Sequence, residues 1–433
     1  MRTRQGRGRG SSPAAKFFTF LLAGLLALAP GASAWATEKS DFTTWLAAFK
    51  QEALGRGISQ ATLDAALGQI QPIPKVLELD ERQPEIVETF WNYLDARIAG
   101  KQLKLGKDKL WIHRKLLNPI QRRHGVPAAL LVSLWGLETR HGARMGGFPI
   151  PAALATLAHD GRRATFFREE LLNALRIIQD NQIPAADMKG SWAGAMGQMQ
   201  FMPSTFLDNA IDADGDGRKD LWRSLPDALG SGARYLQRLG WRGDELWGRE
   251  VRLPESFDYG QALLNLKKPV NEWAALGVAL ANGKPLPKSD LPGAIILPQG
   301  YAGPAFLVYR NFEVIMAWNR SINYALSVAL LADRLQGLEP PKLGRNADNR
   351  RLNREQVIAM QRLLNGRGFE TGDPDGVPGS RTREAIRAFQ KSAGLPVDGY
   401  ASATLLEQLQ HIQQVGPAQA RPTQVGIVLP ALN

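Results

Sequence analysis

Glu138 is the residue in this sequence best placed to do acid–base chemistry. It lies in Leu130-Leu-Val-Ser-Leu-Trp-Gly-Leu-Glu138-Thr-Arg-His-Gly142, a strongly apolar stretch. On a helix, Leu131, Leu134 and Glu138 fall at i, i+3 and i+7 and share one face. The carboxylate therefore points where the apolar side chains point. Lost solvation should raise its pKa, which suits a general acid that must still hold its proton near neutral pH. The structural alternative is a glutamate paired with Arg140 or Arg144.

A second stretch carries recognition chemistry: Lys189-Gly-Ser-Trp-Ala-Gly-Ala-Met-Gly-Gln-Met-Gln200-Phe-Met-Pro-Ser-Thr205. Its small residues would let backbone approach a ligand closely. Gln200 both donates and accepts hydrogen bonds. Phe201 and the methionines would line a groove for sugar faces, or the glycines would simply pack a tight turn on a helix. A third stretch, Asp212-Ala-Asp214-Gly-Asp216-Gly217-Arg218-Lys-Asp220, fits the first nine positions of an EF-hand loop. Oxygens at positions 1, 3 and 5 and glycine at 6 are what a hard cation at a sharp turn requires, and Arg218 at position 7 would supply only its backbone carbonyl. Arg223 stands at position 12, where a glutamate is usual. The five histidines show no zinc spacing.

These stretches need a scaffold, and the periodicity predicts a mainly helical one. Residues 40–67 read as two amphipathic helices, with Trp45, Leu46 and Phe49 on one face. Helical patterns continue over 86–117. Val126-Pro127 opens the apolar helix, proline being suited to a first turn. Residues 162–182 and 325–335 are further helices. Residues 242–308 differ: seven prolines and the runs Glu250-Val-Arg-Leu253, Ala294-Ile-Ile-Leu297 and Phe306-Leu-Val308 predict a small β-containing insertion. Residues 337–351, with Pro340-Pro341, read as a linker. Residues 352–410 form a compact unit with an internal echo, Asp375-Gly376 and Asp398-Gly399 each opening a helix. Residues 411–433 read as a flexible tail.

Taken together, the motifs resemble the lytic murein transglycosylase B family. The resemblance rests on Glu138-Thr-Arg-His-Gly142, Gly190-Ser-Trp-Ala-Gly-Ala-Met-Gly197, Gln200-Phe-Met-Pro-Ser204 and Trp318-Asn-Arg-Ser-Ile-Asn-Tyr324, in the family's order, over residues 40–335. It implies a lysozyme-like transglycosylase core (35–336) with an N-terminal helical part. It implies Glu138 as catalytic residue and Ser191, Gln200, Asn319 and Tyr324 as substrate contacts. This chain departs from the family in having Gln198-Met199 where Tyr-Gly is frequent. The family can close a longer metal loop with a later aspartate. Asp227, at position 16, would then join Asp212, Asp214, Asp216 and Arg218 around a structural calcium.

Hydrolysing glycosidases use two carboxylates, and no clear second candidate is visible; Asp160 reads as a turn or capping residue. The resemblance implies a route that needs only one. Glu138 would protonate the oxygen between N-acetylmuramic acid and N-acetylglucosamine, then deprotonate the muramic C6 hydroxyl, leaving a 1,6-anhydro end. No cofactor is required for that chemistry. Either protein dipoles or the muramic N-acetyl group would stabilise the charge at C1. A catalytically inactive wall-binding scaffold and a lysozyme-like hydrolase are the alternatives. Residues 352–410 resemble the peptidoglycan-binding domain 1 family, a three-helix module, through Val357, Gln361, Leu364, Gly368, Asp375-Gly376, Thr382, Phe389-Gln390 and Asp398-Gly399. That implies tethering to glycan strands, or contact with other cell-wall enzymes.

The first 36 residues hold five basic residues and no acid, leaving +7 of the net +12 for the rest. An arginine-rich start, a 13-residue apolar run from Phe17 to Ala29, and Ala32-Ser33-Ala34 read as a secretory signal peptide over 1–34. The run is short of the ~20 residues that span a bilayer, so no stable membrane insertion is expected after its removal. With no cysteine, the chain can form no disulfides and carry no lipid on an N-terminal cysteine. The expected location is the periplasm. A nucleic-acid role would account for the basic charge but not for export.

Overall fold

The computed structural model describes residues 41–81, 88–161, 163–181, 183–345 and 348–415. The expected signal peptide, 1–34, and residues 416–433 of the expected tail lie outside the described residues. Seventeen α-helices carry most of the described chain, so it is mainly α. The predicted amphipathic pair is present as Phe42–Gly55 and Gln60–Leu67. Ser59 caps the second by accepting the Thr62 N–H, one of the orphan donors of a helix start.

The largest core runs from these helices through to Leu335. At its centre the helix Ala128–Thr139 packs on Ile322–Leu335. Both are buried almost all round, which is why the first reads as a continuous apolar run rather than a stripe. Pro127 stands as its N-cap, where its missing N–H matters least. Arg140 ends the helix in the left-handed conformation, at φ 52°, and His141 follows at 58°.

The insertion contains the three predicted runs as β3 (Gly248–Arg252), β6 (Pro292–Ile296) and β7 (Ala305–Val308). Short strands β4 (Lys268–Pro269) and β5 (Ala279–Leu280) complete an antiparallel sheet of order β4-β6-β7-β3-β5. It has its own core around Trp273, Phe257 and Leu307. A separate two-stranded ribbon pairs β1 (Phe148–Pro149) with β2 (Lys189–Gly190), tying the end of the Glu138 region to the glycine-rich stretch.

The third core belongs to the C-terminal unit, whose helices are Arg354–Asn365, Ser380–Ser392 and Ala403–Val415. Its sequence echo is a structural one. Gln361 donates to Asp375 Oδ1 and accepts the Gly376 N–H. Gln390 does the same with Asp398 and Gly399. Within the expected linker, 337–351, Glu250 accepts the Lys342 and Leu343 N–H groups, and Arg345 pairs with Asp95. Among the described residues, no helix is long and apolar enough to cross a membrane.

Candidate active site

Glu138 is the penultimate residue of the buried helix. The residue is partly open while its carboxyl group sits deep within the protein. Burial pushes its pKa up to about 7, against the opposing pull of hydrogen bonds from Tyr324 and Trp318. Both bonds arrive at Oε1: Trp318 Nε1 donates at 3.0 Å, and the Tyr324 hydroxyl makes a short contact. Among the described residues no charged neighbour contributes to the shift, so the pairing with Arg140 or Arg144 that the sequence left open is not what governs this carboxyl.

The two donors come from remote sequence. Trp318 closes the helix Arg310–Trp318, and Tyr324 lies in the first turn of Ile322–Leu335. Ser321 caps that turn by accepting the Tyr324 N–H, which sets the direction of the phenol. Trp318 is backed by Phe201 and Tyr235, with ring centroids 5.5 and 5.3 Å away. Tyr324 is wholly surrounded and its pKa is raised, chiefly by burial and then by the Glu138 carboxylate, so it stays a neutral donor. Tyr324, expected as a substrate contact, hydrogen-bonds Glu138. Trp318 was not among the expected site residues, although it stands inside the quoted 318–324 motif.

The loop after Glu138 is stitched to the glycine-rich stretch. Thr139 Oγ1 donates to the Gln198 carbonyl at 2.8 Å, and Gln200 Nε2 donates to the Met145 carbonyl at 3.1 Å. Gln200 itself takes a left-handed φ of 50°. Ser191 lies in the same turn, its Oγ accepting the Ala195 N–H. Asn319 is exposed and directly follows Trp318. Ser191 and Gln200 thus lie on the loop joined to the end of the Glu138 helix, and Asn319 and Tyr324 on the segment that contacts Glu138.

Two expectations for this stretch need correction. Its glycines face protein: a Cβ on Gly194 would meet the Leu154 side chain at 2.5 Å, and one on Gly197 the Leu221 carbonyl at 2.6 Å. They serve the tight packing that was the alternative to ligand approach. Phe201, Met196 and Met199 are buried, because Met196 and Phe201 pair across the turn and fold their side chains into the core. Gln198 is also interior. Its Oε1 accepts from Trp135 Nε1 and its Nε2 donates to the Trp222 carbonyl. Gln198 therefore joins the turn to the Glu138 helix.

In the acidic loop, carboxylate oxygens of Asp212, Asp214 and Asp227 lie within 4.8 Å of one another. Asp227 comes from the first turn of the helix Leu225–Arg238 and is fully buried. Its oxygens accept the Ala213 and Asp220 N–H groups. Gly215 and Gly217 take φ of 80° and 88°, the left-handed turns that let the loop close. Asp216 accepts the Arg218 N–H, and both residues lie outside the cluster of three. Three convergent carboxylates form a donor set suited to a hard cation.

Residues 41–333 match the transglycosylase SLT domain family. The chain belongs to that family. Residues 353–409 match the peptidoglycan binding domain family. Membrane-bound lytic murein transglycosylase B of Escherichia coli K12 is 36% identical over 287 residues, 63% of this chain and 77% of that protein. SltB3 of Pseudomonas aeruginosa, solved in complex with NAG-anhNAM-pentapeptide, superposes with TM-score 0.82 at 44% identity over 85% of this chain and 99% of that one. Escherichia coli SLT35, solved with calcium, gives TM-score 0.59 at 29% identity over 67% and 92%. This SLT-family chain is a lytic transglycosylase with a lysozyme-like core, and the site built around Glu138 lies inside the matched region.

Proposed function

We propose that this SLT-family enzyme cleaves the MurNAc–GlcNAc β-1,4 bond of peptidoglycan and leaves 1,6-anhydro-MurNAc ends, with Glu138 as the single acid and base. The observation that carries the proposal is a carboxyl with pKa near 7, held on one oxygen by two neutral donors and perturbed by no second charge. Near neutral pH such a group is present in both protonation states, as a group that gives and then takes a proton must be. Glu138 delivers its proton to the glycosidic oxygen as the bond to muramic C1 breaks. The resulting carboxylate removes the C6 hydroxyl proton while that oxygen bonds to C1. The proton is back on Glu138 and no water is consumed. Trp318 and Tyr324 hold Oε1 throughout, which leaves Oε2 as the oxygen that trades the proton. Ser191, Gln200 and Asn319 line the approach for the sugars, and the C-terminal module tethers the enzyme to the same polymer. The basic and then apolar N-terminal pattern, with the proposed substrate, supports a periplasmic location for the mature protein.

Digesting purified sacculi and weighing the released sugar ends tests this reading. Anhydro ends are expected throughout. Reducing ends heavier by one water would instead make the enzyme a hydrolase.

Asp212, Asp214 and Asp227 would hold a structural calcium, with Asp216 and the Arg218 carbonyl beside them. The ion would brace the loop and take no part in bond cleavage. Millimolar calcium should raise the melting temperature of the wild type and leave that of Asp214→Ala unmoved; equal response of both proteins would remove the site.

A further inference from the structure

The C-terminal module does not hang free of the catalytic region. Asp398 Oδ2 accepts the Tyr301 N–H at 2.8 Å, fastening the module's second Asp-Gly turn to the insertion. Beside this contact lies a cavity of about 180 Å³ between the two parts. Leu264, Leu297 and Ile322 form its apolar wall, and Arg383 and Arg387 of the module helix Ser380–Ser392 stand opposite.

These arginines are poorly matched. They sit one helical turn apart, so their charges repel. Arg387 Nε is buried and has no hydrogen-bond partner, and its Nη2 makes only a long 3.4 Å contact to the Asp398 carbonyl. Arg383 Nε donates to the Pro378 carbonyl, which is neutral. The nearby Asp398 carboxylate is engaged elsewhere, by Gln390, Tyr400 and Tyr301. Glu384 and Asp398 offset part of the Arg387 charge, but neither carboxylate bonds its guanidinium, whose terminal nitrogens remain for a ligand. A carboxylate fits them best, because the guanidinium fork matches a carboxylate's two oxygens.

The cavity lies across one helix from the chemistry. Ile322, which lines it, opens the helix whose Tyr324 touches Glu138, and two residues apart the two side chains point to opposite faces. A helix with its side chains is about 10–12 Å thick, and five residues of extended peptide reach about 17 Å.

We propose that Arg383 and Arg387 form a site for the carboxylates of the peptide that hangs from muramic acid, so that the module reads the peptide while the cleft holds the glycan. The inference rests on the transglycosylase reading of the cleft and adds peptide selectivity to it. The apolar wall accommodates the peptide's aliphatic side chains, and the arginines take its anionic groups.

Calorimetric titration of the full chain with the GlcNAc–anhydro-MurNAc disaccharide, with and without a pentapeptide, tests the site. The product is not turned over, so binding alone is read. The wild type should bind the peptide-bearing form about tenfold more tightly or better. Arg383→Gln/Arg387→Gln should lose that preference while its affinity for the bare disaccharide stays unchanged, and Arg387→Lys should keep part of it. Should the double variant fail to fold, Arg383→Gln alone, at an exposed position, must weaken the preference. A wild type without preference, or variants that retain it in full, would overturn the peptide site and leave the cleft reading intact. Failure of the wild type to bind either form would overturn both.

Discussion

Glu138 and Asp227 are both carboxyls whose pKa is raised by burial, yet they are built for different work. Asp227 accepts a backbone N–H on each oxygen, bracing the loop on both sides of it. Glu138 is held on one oxygen only, by side chains some 180 residues away in sequence. Glu170 belongs with Asp227: it accepts the N–H and hydroxyl of Ser204 and anchors a short helix. Burial therefore does not by itself mark a reacting carboxyl. The difference is whether the fold occupies both oxygens or leaves one for a proton to come and go.

The contrast is open to direct perturbation. Asp227→Ala strands two backbone donors and should cost about 3 kcal/mol of folding stability or more, read by urea unfolding; a cost near zero would remove the bracing role. Glu138→Gln should do the opposite. Its folded pKa near 7 lies above the ordinary 4.5, so ionisation opposes folding. The penalty is absent below pH 4.5, grows as pH rises, and is complete above 7. The substitution should then stabilise the protein by up to about 3 kcal/mol at pH 8 and not at all at pH 4. A pH-independent effect would mean that the carboxyl is not perturbed. Smaller again, Tyr324→Phe and Trp318→Phe each remove a bond that lowers the Glu138 pKa. The alkaline limb of kcat/KM should move to higher pH by about one unit or less, and a downward shift would assign the donors a different role. Ser191→Ala should be mildest, costing about 1 kcal/mol through loss of the Ala195 N–H acceptor.

The elements that position the site were largely legible. A continuous apolar run with a carboxylate at i+7 marks a buried helix and the group on it, because both properties are local. The insertion strands and the Asp-Gly turns were legible for the same reason. The partners of Glu138 were not. Nothing in spacing tells that Trp318 and Tyr324 meet one oxygen 180 and 186 residues away. Nor does a glycine announce whether ligand or protein will crowd it; Leu154 and Leu221 settle that, from elements distant in the chain. Pro340-Pro341 looks like a linker in any sequence, and only the carboxylate of Glu250 shows how the chain after it is fastened.

The decisive measurement is the release of soluble fragments from sacculi by Glu138→Gln, alongside its retention on the same sacculi. If one carboxyl performs both proton transfers, release should fall about a thousandfold or more while sedimentation with the wall is undiminished. Release at the wild-type rate would show that the proton comes from somewhere else.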